Sequence, residues 1–326
     1  SGWISVMAAF LGTIIPGACI ILMGVFWIAS GGKSETPLTW QALFPNLTSI
    51  NQLVIFSGIL LALAGMEMSA VHAAEVKNPQ KDYPKSIGIS AVVILILSSL
   101  GALSVAIVVP KKTINLASGA MEAFSVFLAN YQVGFLIPFV ALIMALGALG
   151  MMSTWIVGPV KGIFASALDG DFPPFFQKVN KKNMPQSILL VQAIIVTILS
   201  CIFLLMPSVS SSYWILVNMT IQLYLIMYFL MFVSAIVLRY KYPDKKRAYK
   251  IPGRYGLYIV SSVGILACVF SFILGFFPPE QIATGNTIFY ELILIGGMVF
   301  FLTVPMVLYS CRKESWNLQK KPRSGR

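Results

Sequence analysis

Residues 61–79 read LALAGMEMSAVHAAEVKNP. The apolar run leading into them begins at Leu53, and up to Ala64 only Ser57 and Gly58 interrupt it. Those twelve residues would rise about 18 Å as a helix, well short of the hydrocarbon core of a bilayer, about 30 Å. Gly65 and Glu67 therefore fall inside a membrane segment rather than at its end. A carboxylate at mid-membrane costs roughly 2.5–3.5 kcal/mol on insertion scales, and such residues usually face a cavity or a substrate pathway. The alternative is a structural carboxylate hydrogen-bonded within the bundle. The glycine two residues earlier favours the functional reading. A span interrupted near its middle by Gly and a carboxylate reads as a discontinuous helix, a device by which transporters expose backbone groups to substrate. The second half, Met68 to Ala74, carries Ser69 and His72, the one histidine of the chain. His72 lies near the inner end of the span, where an interfacial role competes with a role in pH response.

The rest of the chain fits this environment. Of 326 residues, 58% are hydrophobic and 10% charged, against about 25% charged in a soluble domain. Eight segments approach or exceed the length of about 20 apolar residues that a spanning helix needs: 3–29, 51–72, 86–109, 133–158, 186–206, 212–239, 255–277 and 289–311. None alternates in the manner of a transmembrane β-barrel strand. The fold class expected is an all-α integral membrane protein of about eight transmembrane helices. One bundle covers 1–311 and a basic tail 312–326.

The net charge of +12 does not point to nucleic acid, because the positive residues are sorted by side. Alternate connections 72–85, 159–185 and 239–254, with the tail 312–326, hold 20 of the 23 Lys and Arg. The other side holds Lys33, Lys111 and Lys112. This positive-inside pattern puts the basic loops and both chain ends in the cytoplasm, where anionic lipid is a natural contact. Ten of the eleven acidic residues lie in loops, in the tail or near a span's end, and only Glu67 sits deep in the membrane. Cys19, Cys201, Cys268 and Cys311 lie in or at the end of spans without metal-ligand spacing and read as small buried hydrophobes. There is no P-loop, zinc motif or nucleophile elbow, so neither an enzyme nor a cofactor or metal site is expected.

Two connections are long. The outward segment 110–132 contains MEAFSVFLANY, too short to span and suited to an interfacial or capping helix. The inward segment 159–185 has an amphipathic first half and a Pro-Pro break, which suggests a short cytoplasmic helix and a turn. The tail RKESWNLQKKPRSGR is polar and basic and is expected to be disordered. The chain opens on SGWISVM, almost inside its first span and without an initiator Met or a signal-peptide pattern, which leads to the expectation of further sequence upstream.

Four stretches carry a family resemblance. GMEMSAVHAAEVKNPQKDYP (65–84) resembles the sixth span and following loop of amino acid antiporters in the amino acid–polyamine–organocation superfamily, and in particular bacterial glutamate/γ-aminobutyrate antiporters. STWIVGP (153–159), FFQKVNKKNMP (175–185) and YPDKKRAYKIPG (242–253) resemble the end of the eighth span, the loop after it and the loop after the tenth span. The resemblance implies a leucine-transporter-type fold of two inverted five-helix repeats and two extra helices. Counted against it, the chain starts at the fifth span and holds the second repeat with the last two spans. Its partner would be the N-terminal half, and without that half the chain is expected not to transport.

The resemblance also implies site roles. Glu67 matches a gating glutamate beside the unwound part of the sixth span, with Gly65 and Met66 in the unwound part itself. Trp155 matches an aromatic lining the substrate path, and Tyr224 and Tyr228 match a pair on the tenth span. The i, i+4 spacing of that pair puts both on one helix face, and Asn218 and Gln222, also four apart, would add a polar stripe nearby. Leu61 stands where arginine/agmatine relatives have a tryptophan, which leans away from arginine. Met151 departs from the carboxylate associated with the glutamate antiporters, which leaves the exact substrate open. The tail is too short for the C-terminal plug of the acid-regulated members. The implied function is exchange of amino acids, glutamate for γ-aminobutyrate or a similar pair, across the bacterial inner membrane by alternating access, with a link to acid resistance. Substrate and membrane lipid are the implied partners. Freed backbone groups near Gly65 would hold the substrate's α-amino or α-carboxylate group, and protonation of Glu67 would bias which side is open. A non-transporting membrane subunit is the rival reading.

Overall fold

The computed structural model describes residues 2–43, 49, 52–54, 59, 64–69, 76–110, 118–247, 249–253, 255–278 and 286–317. Its principal helices are α1 (Gly2–Ala9), α2 (Ile15–Ala29), α3 (Pro79–Val108), α4 (Gly119–Asn130), α5 (Ile137–Leu168), α6 (Gln186–Ser200), α7 (Val209–Lys241), α8 (Gly256–Leu274) and α9 (Thr287–Ser310). No strand occurs among the described residues. Among the described residues, seven helical stretches are long and apolar enough to cross a membrane, and they correspond to seven of the eight apolar segments. The eighth, 51–72, is described only in part. Large apolar side chains are widely exposed along these helices, among them Leu22, Ile89, Leu146, Ile198, Leu266 and Leu292. A helix whose apolar residues face outward is the form that lipid solvation requires.

The chain divides into two compact units. The first takes residues 1–46 and 85–157. Here α1 and α2 are not one regular helix, since five π-helical residues, Phe10–Ile14, join them. At this π turn the backbone meets α5 without intervening side chains. A Cβ on Gly12 would lie 2.4 Å from Cα of Gly147, and one on Gly147 would lie 2.1 Å from Cα of Gly12. Such close approach is how helices associate where burying apolar surface gains nothing over lipid. Gly147→Ala is therefore expected to force the two helices apart at a cost of about 1–3 kcal/mol, measured as a lowered thermal midpoint in detergent. Ala at Gly101, which meets nothing within 4 Å, is the control.

The connection 110–132 contains the expected short helix, packed as a cap on its neighbours. Ala123, Phe124, Phe127 and Leu128 of α4 are buried against Ile20, Ile107, Val108 and Val109. The Tyr131 hydroxyl donates to the Met23 carbonyl at 3.0 Å, pinning the end of α4 to α2.

The second unit takes residues 47–84 and 158–326. Its core gathers Ile215 and Met219 of α7 with Tyr290, Leu294 and Met298 of α9 and with Val54. The α7 termini are sealed from the sequence itself. Ser208 accepts from the Ser211 N–H at the N-terminus. At the other end Arg247 donates to the carbonyls of Leu238 (3.0 Å) and Tyr242 (2.8 Å).

Three boundaries differ from expectation. Helix α5 does not stop at Pro159 but runs on to Leu168 with that proline inside it. Proline removes one helical hydrogen bond, and burial of Val160 and Ala167 holds the extra turns. Helix α3 starts at Pro79 rather than 86, because proline is well tolerated in a helix's first turn. The tail, expected to be disordered, is ordered at its start. Glu314–Trp316 form a 3-10 turn, Gln177 Nε2 donates to the Trp316 carbonyl at 2.7 Å, and Asn317 Nδ2 donates to the Asp169 carbonyl at 2.9 Å.

Candidate functional site

The interruption foreseen at Gly65 is present. Ala64 and Gly65 are outside any helix, and Met66–Ser69 form a 3-10 turn closed by the Met68 N–H on the Gly65 carbonyl at 3.1 Å. Gly65 has φ +100°, a backbone conformation that a side chain disfavours. The turn is tied on both sides. The Ser69 hydroxyl donates to the Met66 carbonyl at 2.8 Å, and the Tyr83 hydroxyl at the start of α3 donates to the Ser69 carbonyl at 2.6 Å. Met68 reaches α5, with its Cε 2.9 Å from where a Cβ on Gly158 would sit.

Gly65 lies outside any helix, and its N–H turns to side chains. It donates to Tyr228 Oη at 3.0 Å and to Glu67 Oε2 at 3.2 Å. The Tyr228 hydroxyl in turn donates to Glu67 Oε2 at 2.5 Å. Backbone, carboxyl and phenol thus close a triangle that joins the broken segment to the middle of α7. Glu67 Oε1 is buried and accepts from no donor among the described residues. The Tyr224 ring lies beside that of Tyr228, with centroids 6.0 Å apart, and both tyrosines are half-buried.

The structure therefore brings Gly65, Glu67, Tyr224 and Tyr228 together, with Met66 half-buried in the adjoining turn. Trp155 belongs to the first unit, on α5, and is 44% exposed. Met151 accepts at Sδ from the Thr13 hydroxyl at 3.0 Å. Leu61 and His72 lie outside the described residues. Asn218 and Gln222 do not join the site. Six residues of helix turn through about 240° net, so Asn218 stands roughly 120° around α7 from Tyr224. Asn218 Nδ2 donates to the Gly275 carbonyl and to Tyr290 Oη, and Gln222 Nε2 donates to the Phe272 carbonyl. Both side chains are fully buried and lock α7 to α8 and α9. The pairing of Tyr83 with Ser69 was missed, since nothing in the local pattern of a loop tyrosine announces it.

Tyr228→Phe keeps the ring and removes the donor. Losing a hydrogen bond to a carboxyl costs about 1–3 kcal/mol. The thermal midpoint in detergent is expected to fall, with Tyr224→Phe, whose ring alone is implicated, lowering it less. Unfolding curves of the two variants in the same detergent check this.

A bundle of long apolar helices with one broken segment defines a multi-pass membrane protein. The amino acid permease family model matches residues 1–300. An uncharacterized transporter of Legionella pneumophila is 41% identical over 308 residues, 94% of this chain and 66% of the relative. A glutamate/gamma-aminobutyrate antiporter of Lactococcus lactis is 32% identical over 324 residues, 98% of this chain and 64% of the relative. A probable agmatine/putrescine antiporter of the same species is 26% identical over 307 residues, 93% and 64%. The chain belongs to the amino acid permease family, whose members are transporters rather than enzymes. It spans 61–66% of the length of the curated relatives it matches.

Proposed function

We propose that the protein is a secondary amino acid transporter, an antiporter that exchanges glutamate for γ-aminobutyrate or a similar pair by alternating access. The observation that carries this reading is the break at Gly65, whose N–H is held by Glu67 and Tyr228. An amino acid offers an ammonium and a carboxylate, and a broken helix in a membrane offers backbone donors and acceptors to match them. In this mechanism the Gly65–Met66 backbone holds the α-groups of the substrate. Tyr224 and Tyr228 line its path. Glu67 is the gate. Its bond to Tyr228 fastens the broken segment to α7 in one state, and release of that bond lets the segment move in the other. The membrane is the bacterial inner membrane, with the basic loops and both ends in the cytoplasm, as the sorting of Lys and Arg supports.

The test is counterflow by the full-length protein in proteoliposomes loaded with one amino acid and offered a panel outside. Exchange of glutamate against γ-aminobutyrate, exceeding that of arginine against agmatine, is expected. Exchange confined to arginine and agmatine would refute the substrate pair, and no exchange of any amino acid would refute the function.

A further inference from the structure

We infer that a groove at the C-terminal end of α9 is a binding site for a phospholipid with a zwitterionic, primary-amine headgroup. The groove, of about 450 Å³, is lined by Ser166 near the end of α5, Asp171 and Phe172 in the turn after it, and Pro305, Met306 and Tyr309 in the last turns of α9. All lie within the second unit.

At Asp171 the groove adjoins a charge of the opposite sign. Arg312 Nη1 stands 3.4 Å from Asp171 Oδ1, and the two side chains are 53% and 34% exposed. The guanidinium lies over the Tyr309 ring, 4.3 Å from its centroid. Charge-assisted N–H···O bonds close to about 2.7–2.9 Å when formed fully, so this pair is loose. A guanidinium has five donors and a carboxylate about four acceptor sites, and one long contact leaves most of them for a ligand. The pair is nevertheless held in place. The chain on either side of it is anchored by Gln177 on the Trp316 carbonyl and by Asn317 on the Asp169 carbonyl.

The opposite end is apolar and open. Met306 is 71% exposed, and Val307 follows it on the surface at 51%. Helix α9 ends at Ser310, two residues before Arg312. The charged end of the groove therefore sits where a span gives way to the headgroup layer, and the apolar end sits where acyl chains begin. An occupant must carry an anion and a cation side by side on an apolar stem. A phosphate would take the Arg312 fork, and a primary ammonium would donate to Asp171. A quaternary choline has no N–H to donate, and an anionic glycerol headgroup would leave Asp171 facing a phosphate.

The test is native mass spectrometry of the purified full-length protein titrated with equimolar phosphatidylethanolamine and phosphatidylcholine of the same acyl chains. Phosphatidylethanolamine adducts should exceed phosphatidylcholine adducts roughly threefold, the scale of one partly exposed charged hydrogen bond. Asp171→Asn, which keeps an acceptor but loses the charge, should reduce that preference, and Arg312→Gln should lower both adducts. Asp244→Asn, on an exposed loop, should change neither. Soluble phosphoethanolamine at millimolar concentration should not displace the lipid. Equal adducts in the wild type, an undiminished preference in Asp171→Asn, or displacement by phosphoethanolamine would each overturn the assignment.

Discussion

Glu67→Ala is expected to reduce amino acid exchange by one to two orders of magnitude while the protein still inserts and folds. Glu67 Oε2 is the shared acceptor of the Gly65 N–H and the Tyr228 hydroxyl. Without it the phenol proton loses its acceptor, and only the bond from Gly65 to Tyr228 remains. Loss of a hydrogen bond to a carboxyl is worth about 1–3 kcal/mol, and each 1.4 kcal/mol is about a factor of ten. Glu67→Gln keeps a carbonyl acceptor at the same place and is expected to fall between wild type and Ala. The measurement is the initial rate of exchange in proteoliposomes at equal protein-to-lipid ratio, with thermal midpoint recorded alongside. Equal losses for Gln and Ala would mean that the carboxylate itself, not acceptance at Oε2, is what transport requires.

Gly65→Ala acts on the same node through the backbone. At φ +100° a side chain costs about 1–3 kcal/mol. The chain can relieve that strain only by turning toward a helical conformation, which would withdraw the Gly65 N–H from Tyr228 and Glu67. Exchange is expected to fall at least as far as in Glu67→Ala, and the thermal midpoint is expected to drop as well. A neutral outcome in both measurements would mean that the unusual backbone at this residue is not required.

Much of the architecture was legible because membrane burial writes long apolar runs. Seven of the eight segments correspond to spanning helices, and the break was visible because Gly65 and Glu67 interrupt a run too short to cross. The i, i+4 pair Tyr224 and Tyr228 was legible as one helix face. What was not legible depends on which neighbour each face meets. Asn218 and Gln222 looked like part of the same polar stripe, yet they are buried against α8 and α9. The π turn at Phe10–Ile14 has no periodic signature, and the glycine contact behind it joins residues 12 and 147, far apart in sequence. The docking of Trp316 and Asn317 rests on the Gln177 side chain and the Asp169 carbonyl, each more than a hundred residues away, which no composition of a basic tail reveals.

The central claim is that Glu67 and Tyr228 act as a single fastening between the broken segment and α7. A double-mutant cycle of Glu67→Ala and Tyr228→Phe, read as exchange rates of the four proteins, tests it most directly. Residues that share one interaction are coupled by about 0.5–3 kcal/mol, so the double variant should be slowed by clearly less than the product of the two single effects. A double variant slowed by the product of the two single effects would contradict the claim.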